Sequence, residues 1–562
     1  MRLPIVSCVT LAGVIAGAIG LAAWHIEAQA QVAPVATAGE AAIENAKTDP
    51  LTPAAQDPGA LIAPGAAAAA PAVALDADAL RVLTEIRAVV TAVVPGGARG
   101  ERDDVAALAV FYSGSTGRPL WIEVAGVRDR AIEAMTTLER AGDWGLDVSA
   151  LRLPPRPAAG APSSELAAFE VRLSLAVLTY ARYVRGGRTD PSTIGRLIDM
   201  KPRLFDPSTV IAAAATRNDV AAWLGELHPR HAEYHRLGAA LTALRRDEPS
   251  ASEKIRRVEV NLERWRWMPD DAGAFHVWNN VPEQLTRVMR DGKSVLEEKI
   301  VVGKPNTPTP MFSADMRFVI FHPSWGVPDG IKANELGPQL RRASQSGGLF
   351  GWGSGEGVAA VLRRHDLQVS YGGRPIDPGS VDWSSVDIRR FHFTQPPSGR
   401  NVLGVVKFRF PNRFDVYMHD TPERHLFANG TRAFSHGCMR VQNPVRLAEV
   451  ILQHDKSMSA DQVRSYVARG GQSEVTLSTP VPVHNTYFTA RVDEAGVLHL
   501  LPDIYGMDAR VASALAGRPV QVAAAVPGPA RGENRPRRPV RTASSDASPA
   551  KPFNPFADLS GP

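Results

Sequence analysis

A cysteine and a histidine nineteen positions apart carry the most chemical information in this 562-residue chain. Cys438 lies in Ser435-His436-Gly437-Cys438-Met439-Arg440, and His419 in Tyr417-Met418-His419-Asp420-Thr421. The second cysteine, Cys8, falls in a segment that export would remove. A lone thiol in an exported protein has no intramolecular disulfide partner, which leaves buried packing, an intermolecular link or a nucleophile. An unperturbed thiol, with a pKa of about 8.5, is mostly protonated at neutral pH and needs a base. An imidazole can take the proton, provided a hydrogen bond to its other ring nitrogen holds the right tautomer. His419 is the candidate base and His436 a second one. Gly437 lets the backbone come close, so the amides of Gly437 and Cys438 can converge on a developing oxyanion. Singly, each residue has a plainer reading as packing, an ordinary hydrogen bond or a turn. Together, in a chain with no other exported cysteine, they favour nucleophilic catalysis.

The N-terminus supplies the export argument. Arg2, the uncharged run from Ile5 to Ala23 and Ala28-Gln29-Ala30 give residues 1–30 the form of a signal peptide. The run also approaches the roughly 18 to 20 residues of a spanning helix, so an uncleaved anchor in the inner membrane is the alternative. Either way the body is expected outside the cytoplasm, in a periplasm. Residues 31–76 are Ala- and Pro-rich and read as a flexible linker. In residues 519–562, Arg531, Arg535, Arg537, Arg538, Arg541 and Lys551 outnumber Glu533, Asp546 and Asp558, which reads as a basic, Pro-rich disordered tail. Attachment to an anionic envelope surface is the functional alternative for that tail. Nucleic acid is excluded as a partner by the compartment and by the lack of any helix-turn-helix, zinc-finger or RNA-binding signature.

Two textures lie between the tails, and they predict an α+β protein. Residues 77–252 form a mainly helical scaffold domain, with apolar residues at helical spacing over Ala79 to Val94, Asp129 to Ala141, Ser164 to Arg185, Val220 to Leu227 and Tyr234 to Arg245. This half contains no paired carboxylates, metal spacing or phosphate loop. Residues 253–510 form a mainly β catalytic domain. Phe275 to Val281 alternates, Asp291-Gly292 marks a hairpin, and strands are expected over Phe318 to His322, Val402 to Phe410 and Phe414 to Met418. The last of these leads into His419. Asn443 and Pro444 open a helix after the cysteine. A glycine-rich stretch over about 339–381 interrupts the strands and is expected to be a lid over the cleft or a disordered insertion. Trp352 and Trp383 are candidates for apolar lid contacts, with ordinary packing as the alternative for both.

The block Tyr417-Met418-His419-Asp420-Thr421-Pro422, followed by Arg432-Ala433-Phe434-Ser435-His436-Gly437-Cys438-Met439-Arg440-Val441, resembles the signature of YkuD-type L,D-transpeptidases, in particular the large YcbB-like branch. Asn261-Leu262-Glu263-Arg264 with Trp267, Val302-Gly303-Lys304, Pro323-Ser324-Trp325, Gln395-Pro396-Pro397, Lys407 to Asn412 and Pro502-Asp503-Ile504-Tyr505-Gly506 extend the resemblance over about Glu253 to Gly506. Two features depart from the wider pattern. Arg440 stands where many members have Asn, and no peptidoglycan-binding module separates scaffold from catalytic domain.

The resemblance implies a catalytic cycle. Cys438 would attack the carbonyl of the third residue of a tetrapeptide stem, release D-alanine and hold the product as a thioester. His419 would act as base, oriented by the backbone carbonyl of Asp420, while the amides of His436, Gly437 and Cys438 would hold the oxyanion. A side-chain amine of a neighbouring stem would then resolve the thioester into a 3-3 crosslink. Ser435, Arg440, Tyr417 and Trp352 are the substrate-binding candidates, stem tetrapeptides are donor and acceptor, carbapenems are expected inhibitors, and no cofactor or metal is implied. Three rivals stay open: a zinc site of His419, His425, His436 and Cys438, whose spacing fits no standard structural zinc pattern; an exported cysteine peptidase or carboxypeptidase acting on wall peptides; and a non-catalytic wall-binding scaffold.

Overall fold

A computed structural model describes residues 77–97, 100–114, 118–345 and 354–520, with side chains from 357 onward in the last run. The proposed signal or anchor, the linker, Trp352 and nearly all of the basic tail lie outside the described residues. Within the described residues no helix is long and apolar enough to cross a membrane.

The N-terminal half is helical and is built around Ser163–Gly186. This helix is buried on nearly every side, so its few polar groups need internal partners. Glu170 supplies the main one. Its carboxylate accepts the Tyr112 hydroxyl at 2.6 Å and the Trp121 amide at 2.8 Å, while the Trp121 indole donates to Ser174 at 2.9 Å. Asp190, Asp206 and Asp219 cap the helices that follow, each side chain accepting a backbone amide in the first turn. Proline at the first position, Pro191 and Pro207, sharpens two of those starts.

Eight strands of the C-terminal half close into a ring. They are β1 (Phe275–Asn280), β2 (Leu285–Arg290), β3 (Lys293–Gly303), β4 (Met311–Phe321), β5 (Val406–Arg409), β6 (Met418–His419), β7 (Met439–Val441) and β8 (Ser473–Thr486). Hydrogen bonding runs β5-β6-β7-β3-β2-β1-β8-β4, and β4 returns to β5. Only β6–β7 and β8–β1 are parallel within the ring. Asp291 and Gly292 both take positive φ between β2 and β3, as a two-residue hairpin turn requires. Val277, Val302, Phe321, Phe408, Met418 and Val483 belong to the core that this barrel encloses.

The junction between the halves is continuous. Ile198–Asp199 pairs with the start of β4, and Leu237, Leu241 and Leu244 of helix Ala232–Asp247 share the barrel's core. Both features cross the boundary expected near residue 252. The helix Ser252–Trp265 carries Glu263, fully buried, whose Oε1 accepts the Thr189 amide and hydroxyl, each at 2.8 Å. Arg266, also buried, pairs with the same carboxylate at 3.3 Å.

The insertion between β4 and β5 is a folded unit and is larger than the stretch over 339–381 marked in the sequence. Its sheet runs Arg374–Pro375, Gln368–Tyr371, His392–Gln395, Trp325–Gly326, with helices Gly337–Gln345 and Ser354–Arg364 beside it. It has its own core, in which Trp325, Leu336, Leu340, Leu362, Trp383 and Phe393 meet. Trp383 is part of that core and donates its indole N–H to the Pro378 carbonyl at 2.9 Å, so it packs rather than faces a substrate.

Because Glu263 is the acceptor on which both halves converge, Glu263→Ala leaves Arg266 and the Thr189 amide buried without it. The expected cost is about 3–5 kcal/mol, measured as a lowered thermal unfolding midpoint. Lys254→Ala, which breaks an exposed pair with Glu248, is expected to cost about 1 kcal/mol or less.

Candidate active site

His419 ends β6 and is buried, where the parallel register sets Met418 beside Met439 and His419 beside Arg440. Its Nδ1 lies 2.5 Å from the carbonyl oxygen of Asp420. A carbonyl can only accept, so Nδ1 carries the proton and a neutral ring presents its lone pair at Nε2. Burial, with the nearby positive charges of Arg440 and Lys407, lowers the imidazole pKa to about 3 against the opposing effect of that carbonyl. The ring is therefore neutral at physiological pH.

The Asp420 carboxylate has a separate task. It accepts the amides of Val405 at 2.8 Å and Thr421 at 2.6 Å and pairs with Arg424 at 2.5 Å. It thereby clamps the turn after His419 to the chain entering β5. Gly404 makes room for it, since a Cβ there would stand 2.3 Å from the Asp420 side chain.

Cys438 immediately precedes β7, held by a loop whose polar groups are mostly used internally. The Ser435 hydroxyl donates to the Cys438 carbonyl at 2.6 Å and accepts the Gly437 amide at 3.1 Å. Thr309 accepts the Gly303 amide and donates to the Gly437 carbonyl, both at 2.9 Å. Tyr505 in turn donates to the Gly303 carbonyl at 2.6 Å. Gly437 has φ +113°, a conformation that only glycine adopts readily. In this structure the Ser435 hydroxyl is used within the loop, and the Gly437 amide is engaged by it. The amides of His436 and Cys438 are the remaining oxyanion candidates from the sequence.

The groups acting most directly on the thiol come from its neighbours in the ring. Cys438 keeps part of its surface open, yet packs against the core of the insertion. Burial pushes its pKa up to about 11, against lowering contributions from hydrogen bonds with Tyr417 and from the Lys407 ammonium. The Tyr417 hydroxyl bonds to the thiol and also to Trp325 of the insertion. Its ring meets His419 edge-on, with centroids 5.6 Å apart, and carries the Lys407 ammonium 3.8 Å from its centre. Tyr417 thus touches the environments of both thiol and imidazole. Lys407 sits opposite His419 in the β5–β6 register. Burial lowers its own pKa, and the Cys438 charge opposes that shift.

His436 points to a different group. Its Nε2 lies 2.6 Å from Oε1 of Glu335, in the insertion. Arg440 pairs with Glu423, which makes it a charge beside His419 engaged in an ion pair. Among the described residues no three His, Cys, Asp or Glu side chains gather as a metal site would require. Sequence reading had not assigned site roles to Lys407, Trp325 or Glu335. For Lys407 the place depends on the β5–β6 register, which strand alternation alone does not fix. For Glu335, in a separately folded insertion, no sequence spacing could reveal the contact.

Two family models match this chain: a scaffold domain over residues 106–241 and an L,D-transpeptidase catalytic domain, YkuD, over residues 274–483. A Haemophilus influenzae protein provisionally named an L,D-transpeptidase is 24% identical over 422 residues, which cover 72% of this chain and 78% of the relative. A solved structure, that of the Ldtfm-avibactam carbamoyl enzyme, aligns at 15% identity over 39% of this chain and 51% of that one, with a TM-score of 0.15. The chain thus spans about half of that solved chain, and the superposition is too poor to relate the two folds. From the catalytic-domain match and the site that it encloses, the chain carries a YkuD-family L,D-transpeptidase catalytic domain behind a helical scaffold domain.

Proposed function

We propose that this protein forms 3-3 crosslinks in peptidoglycan through a thioester on Cys438. The observation that carries the reading is that a lone described thiol, just ahead of β7, and an imidazole at the end of β6 whose Nδ1 is fixed by the Asp420 carbonyl both border the Tyr417 side chain. In the first half-reaction the sulfur bonds to the carbonyl carbon of the third stem residue and its proton passes to Nε2 of His419. The C–N bond to the terminal D-alanine then breaks, and the departing amine takes that proton. In the second half-reaction the side-chain amine of a neighbouring stem bonds to the same carbon, the C–S bond breaks, and the thiol is restored.

A neutral thiol with a raised pKa and a neutral imidazole with a lowered one do not favour a resting ion pair. Proton transfer is therefore coupled to attack rather than completed before it. The insertion supports choice of an amine over water, because its apolar core packs on Cys438 and shields the thioester. Carbapenems, which present a strained acyl group, are expected to acylate the same sulfur. The periplasm, reached through residues 1–30, is the compartment in which this substrate is met.

Expression in a strain lacking such enzymes, followed by muropeptide analysis, tests the activity. Wild type is expected to yield 3-3 dimers, Cys438→Ala none, and His419→Asn a rate lower by about 10²–10⁴. Tripeptide stems without dimers would instead indicate a peptidase.

Alkylation of Cys438 by iodoacetamide tests the proton inventory. Its rate is expected to climb about tenfold per pH unit from about pH 7 to about pH 10, without a plateau at neutrality. Lys407→Met removes a charge that favours the thiolate and is expected to slow alkylation at fixed pH by about tenfold, as one unit of pKa would. A rate already level at about pH 7 would mean a preformed thiolate and would sink the coupled mechanism.

A further inference from the structure

The insertion presents one carboxylate to the catalytic loop that the acylation half-reaction does not use. Glu335 lies in a π-helical turn, Lys332–Leu336, a helix distortion frequent at functional sites. Lys332 anchors that turn, its buried ammonium donating to the carbonyls of Phe391 at 3.0 Å and Arg389 at 3.2 Å. One oxygen of Glu335, Oε1, is 2.6 Å from His436. The other, Oε2, is buried and has no hydrogen-bond partner among the described residues. The Lys304 ammonium lies 3.5 Å from the same His436 nitrogen, and its charge and that of Glu335 act on each other. Leu336, the next residue, belongs to the core against which Cys438 packs.

A buried carboxylate oxygen without a donor costs free energy, so such an oxygen in a native fold calls for an explanation. The proposed reaction supplies one. An alkyl amine with a pKa of about 10 arrives at the thioester as an ammonium, rich in donors and unable to attack until it loses a proton. On the transpeptidase reading above, we propose that Glu335 is the acceptor-amine site, its Oε2 binding the incoming ammonium beside the thioester. The ammonium gives one proton to the Glu335 carboxylate, and the freed nitrogen lone pair forms the C–N bond. As the C–S bond breaks, a second proton leaves the nitrogen by way of His419 and ends on sulfur. The proton held by Glu335 is lost to solvent when the product leaves, restoring the carboxylate. The chemical class selected is a primary aliphatic ammonium.

One thioester feeds two products, so the ratio of aminolysis to hydrolysis isolates the acceptor step from acylation. That ratio is measured for wild type, Glu335→Gln and Glu335→Asp with two nucleophiles: a stem peptide bearing a side-chain ammonium, and hydroxylamine, which is uncharged at neutral pH. Glu335→Gln is expected to lower the peptide ratio about ten- to hundredfold, the loss of one charge-assisted hydrogen bond, and to change the hydroxylamine ratio less than about twofold. Glu335→Asp is expected to recover part of the peptide ratio. An unchanged peptide ratio overturns the proposal, as does an equal fall with both nucleophiles, which would mark Glu335 as a structural latch. Failure of wild-type Cys438 to acylate at all, read by intact mass, removes the transpeptidase reading and this proposal with it.

Discussion

The two-residue strand β6 and the three-residue strand β7 run parallel, and on their register the catalytic arrangement depends. With Met418 beside Met439 and His419 beside Arg440, one face of the pair holds the His419 imidazole and the entry to the pair holds the Cys438 thiol. A slip of one residue would turn His419 to the opposite face, because side chains alternate along a strand. Strands this short cannot define register by themselves. The closed ring does it for them, since β5 on one side and β3 on the other leave no free edge along which to slide. The Asp420 clamp and the Thr309–Gly303–Tyr505 contacts then fix the loops at the two strand ends.

The same enclosure sets the protonation states. Packing the insertion on Cys438 removes water that would have stabilised a thiolate, and burying His419 removes water that would have stabilised an imidazolium. Both groups rest neutral. Lys407 moderates the penalty on sulfur, while Arg440, balanced by Glu423, adds to the one on the imidazole. The site therefore holds two uncharged groups in a dry setting, the setting that the proposed thioester needs if it is to last until an amine arrives.

Local chemistry made parts of this legible in the sequence. The Asp291-Gly292 turn falls where the dipeptide marks it, and the long helix Ser163–Gly186 follows its apolar spacing closely. The helices Glu101–Ser113 and Pro207–Thr216 were not read, the second because its run of alanines has little periodic contrast. Strands were found in place but not in extent. β4 begins at Met311, well before the expected Phe318, because its first half alternates weakly. In the site, residues contiguous with the motif were visible, whereas Lys407 and Glu335 depend on pairing and on an insertion that folds by itself. The engagement of the Gly437 amide by Ser435 likewise follows from loop geometry that no spacing encodes.

Phe321, the last residue of β4, and Val406, the first of β5, are register partners. The chain therefore leaves the barrel and re-enters it at neighbouring points, and everything between them is an elaboration of one antiparallel connection. Such a graft can be lengthened, shortened or exchanged without rethreading the ring. On the proposed mechanism, chemistry and selectivity come under separate genetic control: substitutions in the cap would retune which nucleophile is admitted, while the barrel that carries Cys438 and His419 goes on unaltered.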